Sequence, residues 1–403
     1  MRHSGLTGPA LRILYISDVY FPRVNGVSTS IRTFRRELQA LGHEVTLVAP
    51  AYPGDGADDG NGVVRLPSRR VPLDPEDRLM HASALRELPA RFARHSFDLV
   101  HIQTPFAAHY AGLRLARALG VPCVATYHTF FEECLHHYVP FAPPALVRAL
   151  ARVVSRSQGN EVDALAVPSR AMLAALTAYG VRAPMTILPT GVPLDELAGG
   201  DGAAFRHRHG IADGRPVLVH VGRVAFEKSI DFLLRMLVRV RARFPDALLV
   251  IAGEGPARPH LRRLAYRLEL EDNVLFVGYL DRANALLDCY RAGDAFVFAS
   301  RTETQGLVLL EAMALGVPVV AIAAMGATDI LDAGKGALIA KPDEASFAAA
   351  VCQLLESPAL RHELARDGMR HALQWSAAAQ AARLADFYAQ VAAVRASCIQ
   401  SVI

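Results

Sequence analysis

Residues 295–322, AFVFASRTETQGLVLLEAMALGVPVVAI, decide the fold. The first five form an apolar run of strand length, and 318–322 form another. Between them, the residues from Gly306 onward have the length and apolar content of a helix. Strand, helix and strand in so short a span is the pattern of a parallel sheet, whose strands are buried on both faces and so read as continuous apolar runs.

The same alternation extends in both directions. Toward the C-terminal half it predicts strands at 217–221, 248–252, 274–277, 295–299, 318–322 and 337–340. In the N-terminal half it predicts strands at 12–17, 44–49, 99–103, 122–127, 164–168 and 186–189, with helices at 31–41, 107–119 and 145–157. Residues 195–202, DELAGGDG, are too rich in glycine and acids to continue a strand and read as a linker. The expected fold class is α/β: two doubly wound, Rossmann-like domains, 1–195 and 203–374, facing a central cleft into which the loops at the carboxyl ends of the strands point. No repeat of 20–50 residues is visible, which excludes a solenoid.

Composition narrows the class further. With 52% hydrophobic residues in 403, the chain can bury a core in each domain, so disorder is excluded as the main state. A net charge of +4 with 20% charged residues is not the footprint of a nucleic-acid surface. The five cysteines are odd in number and form no CxxC pair, which fits a reducing cytoplasm. The apolar start at 11–17 is broken by Arg12 and runs into Asp18, unlike a secretory leader. The uncharged stretch 315–327 contains Gly316, Pro318 and Gly326 and falls short of the ~20 residues that span a bilayer. A soluble or peripheral cytoplasmic protein is expected.

Four strand-to-helix turns carry candidate chemistry. In the first, Glu303 and Glu311 stand eight positions apart; with a helix beginning near Gly306, Glu303 stays in the loop and Glu311 sits on the second turn. Gly306 permits close backbone approach, and the amides of the first turn, at Leu307, form an anion site. The alternative makes Glu303 a helix cap and Glu311 a solvated surface residue. In the second turn, Arg223 and Lys228 place two cations on one loop, an arrangement suited to a diphosphate. The chain has three lysines, Lys228, Lys335 and Lys341, against forty arginines, so a retained lysine suggests selection for a compact point charge. The alternative is an exposed lysine paired with Glu227 or Asp231.

The third turn, 18–28, carries Gly26, which lets main-chain amides reach a phosphate or is an ordinary Asn-Gly turn. In the fourth, His128 follows an apolar strand and is either a cleft residue or a satisfied, partly buried histidine. Glu132/His136 and Glu133/His137 have helical spacing but no HExxH pattern, and no metal is expected. Residues 251–258, IAGEGPAR, imitate the start of a dinucleotide fingerprint, but Arg258 stands where the third glycine belongs, which disfavours NAD.

Together these residues resemble the retaining nucleotide-sugar glycosyltransferases of family 4, which have the GT-B fold, over nearly the whole chain from Arg12 to about Val394. The glutamate pair within 302–318 carries most of the likeness, supported by Gly222-Arg223, Glu227-Lys228 and Gly253-Glu254-Gly255-Pro256. The resemblance implies that Glu311 binds the nucleotide ribose and Glu303 the donor sugar. It also implies that Arg223 and Lys228 neutralise the diphosphate, that Gly26 lies against it and that His128 borders the transferred sugar. Gly306 and Leu307 complete the donor site, no cofactor or essential metal is needed, and residues 375–396 form a helix that packs back on the first domain. Thr304-Gln305 departs from the Ser-Phe or Gly-Phe of many members and leaves the donor open.

The acceptor is read from the segment after His128. Phe130, Phe131, Leu135, Tyr138 and Phe141 precede Arg148, Arg152 and Arg156, which recur every four residues, and Arg32, Arg35 and Arg36 extend the patch. A basic amphipathic helix beside aromatic residues fits docking on an anionic membrane at the inner face of the plasma membrane, with a lipid acceptor such as diacylglycerol or phosphatidylinositol. A solvated helix face is the alternative. A soluble sugar, polyol or polysaccharide acceptor, a nucleotide-sugar epimerase or hydrolase, and a non-catalytic nucleotide-sugar-binding protein are the rival functions.

Overall fold

The computed structural model describes residues 9–53, 62–71, 74–128, 143–282, 284–331 and 334–400. The chain divides into two units, one running to Gly191 and resuming at Ala377, the other spanning Val192–Ser376.

The first unit is built on a seven-stranded parallel sheet. Its strands are β1 (Arg12–Ile16), β2 (Glu44–Pro50), β3 (Val63–Leu66), β6 (Leu99–Ile102), β7 (Cys123–Thr126), β8 (Ala164–Val167) and β9 (Met185–Ile187), in the order β3-β2-β1-β6-β7-β8-β9. An antiparallel pair, β4 (Ser68–Val71) and β5 (Asp74–Met80), follows β3. The second unit has a six-stranded parallel sheet: β10 (Val217–Val221), β11 (Leu248–Ala252), β12 (Val274–Gly278), β13 (Ala295–Phe298), β14 (Val319–Ala321) and β15 (Ala337–Ile339), in the order β12-β11-β10-β13-β14-β15. Strand order reverses beside β1 in one sheet and beside β10 in the other. Ligands of such sheets bind outside the carboxyl ends of the strands at that reversal.

The apolar runs become strands because both faces are covered. In the second unit Val217, Val219 and Val221 point into one core and Leu218 into another, as period-two alternation requires. Where the sequence reading differs, polar chemistry hid the structure. β3 to β5 were not expected: β3 holds a buried Arg65 whose Nη1 donates to the Pro50 carbonyl at 3.3 Å, and the β4/β5 pair is rich in charge. The helix expected from residue 31 begins five residues earlier, at Gly26–Ala40. Asn25 caps it by accepting from the Ser28 amide at 2.9 Å, while the Ser28 hydroxyl accepts from the Asn25 amide at 3.0 Å.

Residues 195–202 are not a linker but lie inside the second unit. Asp201 caps the helix Gly202–Arg208, accepting from Ala204 at 2.9 Å. Gly202 is glycine because a Cβ there would sit 2.3 Å from the Arg291 carbonyl oxygen. The unit boundaries therefore fall after Gly191 and after Ser376 rather than at the glycine-rich stretch.

The last helix, Ala377–Gln400, belongs to the first unit. Its Ala381, Leu384, Ala385, Phe387 and Tyr388 are buried with Ile13, Tyr15, Ile31 and Leu38. The Tyr388 hydroxyl shares a hydrogen bond with Tyr15 at 2.8 Å and with His101 Nδ1 at 2.5 Å. Replacing Tyr388 with Ala removes a fully buried ring and orphans both partners. It is expected to cost about 3 kcal/mol or more of stability, checked by urea unfolding of the whole chain.

Candidate active site

In the second unit the two loops that leave the strand-order reversal face each other. One follows β10 through Gly222, Arg223 and a 3-10 turn, Phe226–Lys228, into the helix Ile230–Arg241. The other follows β13 through Ser300 and Glu303 into the helix Leu307–Ala314. Lys228 Nζ on the first donates to Glu303 Oε1 on the second at 2.6 Å, with side-chain exposures of 22% and 17%. Lys228 is thus not an exposed surface lysine; Asp231, one partner considered for it, accepts from Arg235 at 2.8 Å. Burial alone would raise the Glu303 pKa, but the Lys228 charge and hydrogen bond, aided by Ser300, hold it below the ordinary carboxylate value. The pair is ionised.

Both bland readings of the glutamates fail. Among the described residues no side chain caps Leu307–Ala314, so Glu303 is not its cap, and Gly306 at its head takes φ +94°. Glu311 is only 4% exposed; its Oε2 accepts from the Tyr290 hydroxyl at 2.8 Å and its Oε1 from Arg282. Burial and the Glu311 charge push the Tyr290 hydroxyl well above its usual pKa, which keeps it a donor.

Close backbone contacts fix these loops. A Cβ on Gly326 would sit 1.8 Å from the Thr304 carbonyl oxygen, and the Gly326 amide donates to the Glu303 carbonyl at 2.9 Å, so Gly326 pins the Glu303 turn. A Cβ on Gly253 would lie 1.9 Å from the Gly222 oxygen and one on Gly255 2.4 Å from the Val224 oxygen. Val224 donates to Glu254 at 2.8 Å and Ala257 to Val224 at 2.9 Å. The segment that imitated a dinucleotide fingerprint is therefore a brace under the Arg223 loop. Arg258 starts the helix Arg258–Arg267 and pairs with Glu254.

The first unit holds the other two candidates. Gly26 is the first residue of its helix, and neither a left-handed backbone nor packing demands glycine there: a Cβ would meet nothing within 4 Å. His128, just past β7, shares a hydrogen bond between its Nε2 and Gln103 Oε1 at 3.0 Å, and burial pushes its pKa down to about 4. It is neutral near pH 7, as the satisfied-histidine alternative also has it. Sequence reasoning missed Asp18 at the end of β1. Its carboxylate accepts from Thr104 Oγ1 at 2.7 Å and from the Ala108 amide at 3.1 Å, capping the helix Ala107–Leu119, while burial outweighs these bonds and pushes its pKa up to about 6. Tyr290, Arg282 and Gly326 were missed too. No local spacing links them to Glu311 or Glu303; the only available signal was a glycine, Gly326, in an otherwise apolar run.

Glu132, Glu133, His136 and His137, and the apolar and aromatic residues Phe130, Phe131, Leu135, Tyr138 and Phe141, lie outside the described residues. Among the described residues no three His, Cys, Asp or Glu side chains gather to hold a metal. The basic helix is Pro144–Gly159: it buries Val147, Ala151 and Ser155 and exposes Arg148, Arg152 and Arg156 together with Leu146, Leu150 and Val153, each more than half exposed. Phe106 and Tyr110 are similarly exposed, and Gln158 bonds the Pro105 carbonyl at 2.7 Å, joining their helix to this one. Arg35 does not extend the patch. It is 7% exposed, with Nε donating to the Val45 carbonyl at 3.3 Å, while Arg36 pairs with Glu37 and Arg32 lies over the Phe21 ring.

Comparison with known proteins finds one family model in each half of the chain. Residues 24–196 match the family model described as Glycosyltransferase Family 4, and 202–371 that described as Glycosyl transferases group 1. The alpha-monoglucosyldiacylglycerol synthase of Streptococcus pneumoniae is 32% identical over 318 residues, covering 77% of this chain and 71% of the relative. This chain belongs to the family 4 glycosyltransferases. A GDP-mannose-dependent alpha-(1-6)-phosphatidylinositol monomannoside mannosyltransferase of Mycolicibacterium smegmatis is 30% identical over 93% of this chain and 97% of its own. Sucrose-phosphate synthase from Thermosynechococcus elongatus shares the fold, with a TM-score of 0.77 at 23% identity over 95% of this chain and all of the other. The glycosyltransferase is thus an α/β, GT-B protein with two Rossmann-like domains.

If Gly26 is reserved for a ligand rather than for the fold, Gly26→Ala leaves thermal stability unchanged or slightly higher, because alanine is the better helix former. The same variant is expected to raise the KM for the sugar donor several-fold, measured in initial-rate assays; unchanged kinetics would return Gly26 to an ordinary turn.

Proposed function

We propose that this glycosyltransferase moves a hexose from a nucleoside-diphosphate sugar to a hydroxyl of a membrane lipid, with retention of configuration. The ionised Lys228–Glu303 pair at the strand-order reversal of the second sheet carries the reading. The departure of a nucleoside diphosphate builds negative charge on its phosphates. Lys228, Arg223 and the uncapped start of Leu307–Ala314 offset that charge from the protein itself, and we assign no metal to the step. Glu303 is assigned to the sugar, and Glu311, held in place by Tyr290 and Arg282, to the ribose hydroxyls. In the first unit Gly26 is assigned to the diphosphate and His128 to the transferred sugar.

As the sugar–phosphate bond lengthens, the sugar gains oxocarbenium character. An acceptor hydroxyl attacking the face the diphosphate leaves retains configuration, and the leaving phosphate takes its proton. No second nucleophilic carboxylate is called for, unlike the paired carboxylates of glycoside hydrolases.

Two observations favour a lipid acceptor over a soluble one. The pneumococcal and mycobacterial relatives are named for diacylglycerol and phosphatidylinositol substrates. The helix Pro144–Gly159 also presents apolar and arginine side chains together to solvent, the composition of a surface that docks on anionic lipid. Among the described residues no helix is long and apolar enough to cross a membrane, and we assign the protein to the cytoplasmic face as a peripheral enzyme.

Lys228→Ala and Glu303→Ala are each expected to lower turnover roughly a hundredfold, the usual loss for one preorganised electrostatic group, in a panel of UDP- and GDP-sugars tested with lipid and soluble acceptors. Wild-type rates in both would remove the site assignment. Vesicles containing anionic lipid should float the protein, less so at high salt and much less after Arg148/Arg152/Arg156→Glu. No flotation would favour a soluble sugar or polyol acceptor, and flotation insensitive to both changes would remove the arginine patch from membrane docking.

A further inference from the structure

His220 is the fourth residue of β10 and is 1% exposed. Its Nδ1 lies 3.1 Å from the Val297 carbonyl oxygen, which can only accept, so Nδ1 carries the proton and donates it there. Nε2 is left as a bare acceptor, fully buried, and among the described residues no donor reaches it. The ring runs nearly parallel to Phe296, 6.5 Å away. A buried acceptor without a donor costs stability, and natural cores contain few.

The surroundings show what this acceptor faces. Beyond it is the backbone of Gly222, where a Cβ would come 3.7 Å from Nε2; the loop that starts there carries Arg223 and Lys228. The charges of Lys228 and Glu303 both act on the ring, the first disfavouring and the second favouring its protonation. Burial outweighs both and pushes its pKa down to about 4, so the imidazole stays neutral and adds no positive charge of its own.

We propose that His220 is a positioning residue for Lys228: its Nε2 accepts a hydrogen bond from the ammonium when Lys228 turns from Glu303 toward the donor diphosphate. His220 then keeps Lys228 seated while Glu303 is released to the sugar, so the ion pair can open without stranding the cation. The inference rests on the donor-site reading above and names the group that lets that site rearrange.

Three substitutions separate this role from packing. His220→Leu removes both polar atoms, His220→Asn keeps only a group near Nδ1, and His220→Gln places an amide near Nε2. If the role is positional, His220→Leu melts at or above the wild-type temperature while kcat falls roughly tenfold, the loss of one hydrogen bond to a charged group. The donor KM changes less than threefold, and His220→Gln recovers part of kcat where His220→Asn does not. If kcat instead follows the melting temperature through the series, or His220→Leu keeps kcat within twofold of wild type, His220 is only core and the proposal falls. Calorimetry of the wild-type protein with UDP and with GDP separates this failure from a wider one. Binding of either nucleotide with unchanged His220→Leu kinetics overturns the positioning role alone, whereas binding of neither overturns the donor site and this role with it.

Discussion

An ammonium and a carboxylate, mostly withdrawn from water, meet at the carboxyl ends of β10 and β13, and the rest of the second unit is arranged around that meeting. Removing either charge from water alone is unfavourable, so each is tolerable chiefly because the other is there. Mutual neutralisation lets the unit carry a cation at this point without a buried excess of charge. It also leaves the cation available to a more highly charged anion, since a diphosphate attracts an ammonium more strongly than one carboxylate does. Glu303 remains ionised because the Lys228 field outweighs burial.

Backbone contacts make this meeting reproducible. Gly253 and Gly255 bring their loop against the backbone of Gly222 and Val224 at distances no side chain would permit, and Gly326 does the same behind Glu303. Glu311 is fixed differently, by Tyr290 and Arg282 donating to its two oxygens. The site therefore rests on main chain and on ordered carboxylates rather than on long exposed side chains, which is how a catalytic constellation is held to a fraction of an ångström.

Much of this was legible in the sequence, for a physical reason. Strands buried on both faces must be apolar throughout, so β10 and β11 were read with their observed bounds and the other strands of the second sheet to within a residue or so at each end. The two glutamates and the Arg223–Lys228 loop were legible because each lies just after such a strand. What stayed hidden depended on contacts between distant residues. Lys228 and Glu303 are 75 positions apart, Arg282 and Glu311 are 29, and no periodicity joins them. The charged β4/β5 pair had no apolar signature, and DELAGGDG looked like a linker because glycines demanded by packing and glycines demanded by flexibility are spelled alike. Arg35 resembled a surface cation until its guanidinium was found buried against the Val45 carbonyl.

The most direct test of the central claim is a crystal structure of the protein with a nucleoside diphosphate. The account requires the phosphates to lie within hydrogen-bonding reach of Lys228 and Arg223 at the start of Leu307–Ala314, with the ribose on Glu311. Phosphates bound away from this loop, with Lys228 and Glu303 still paired and untouched, would contradict it.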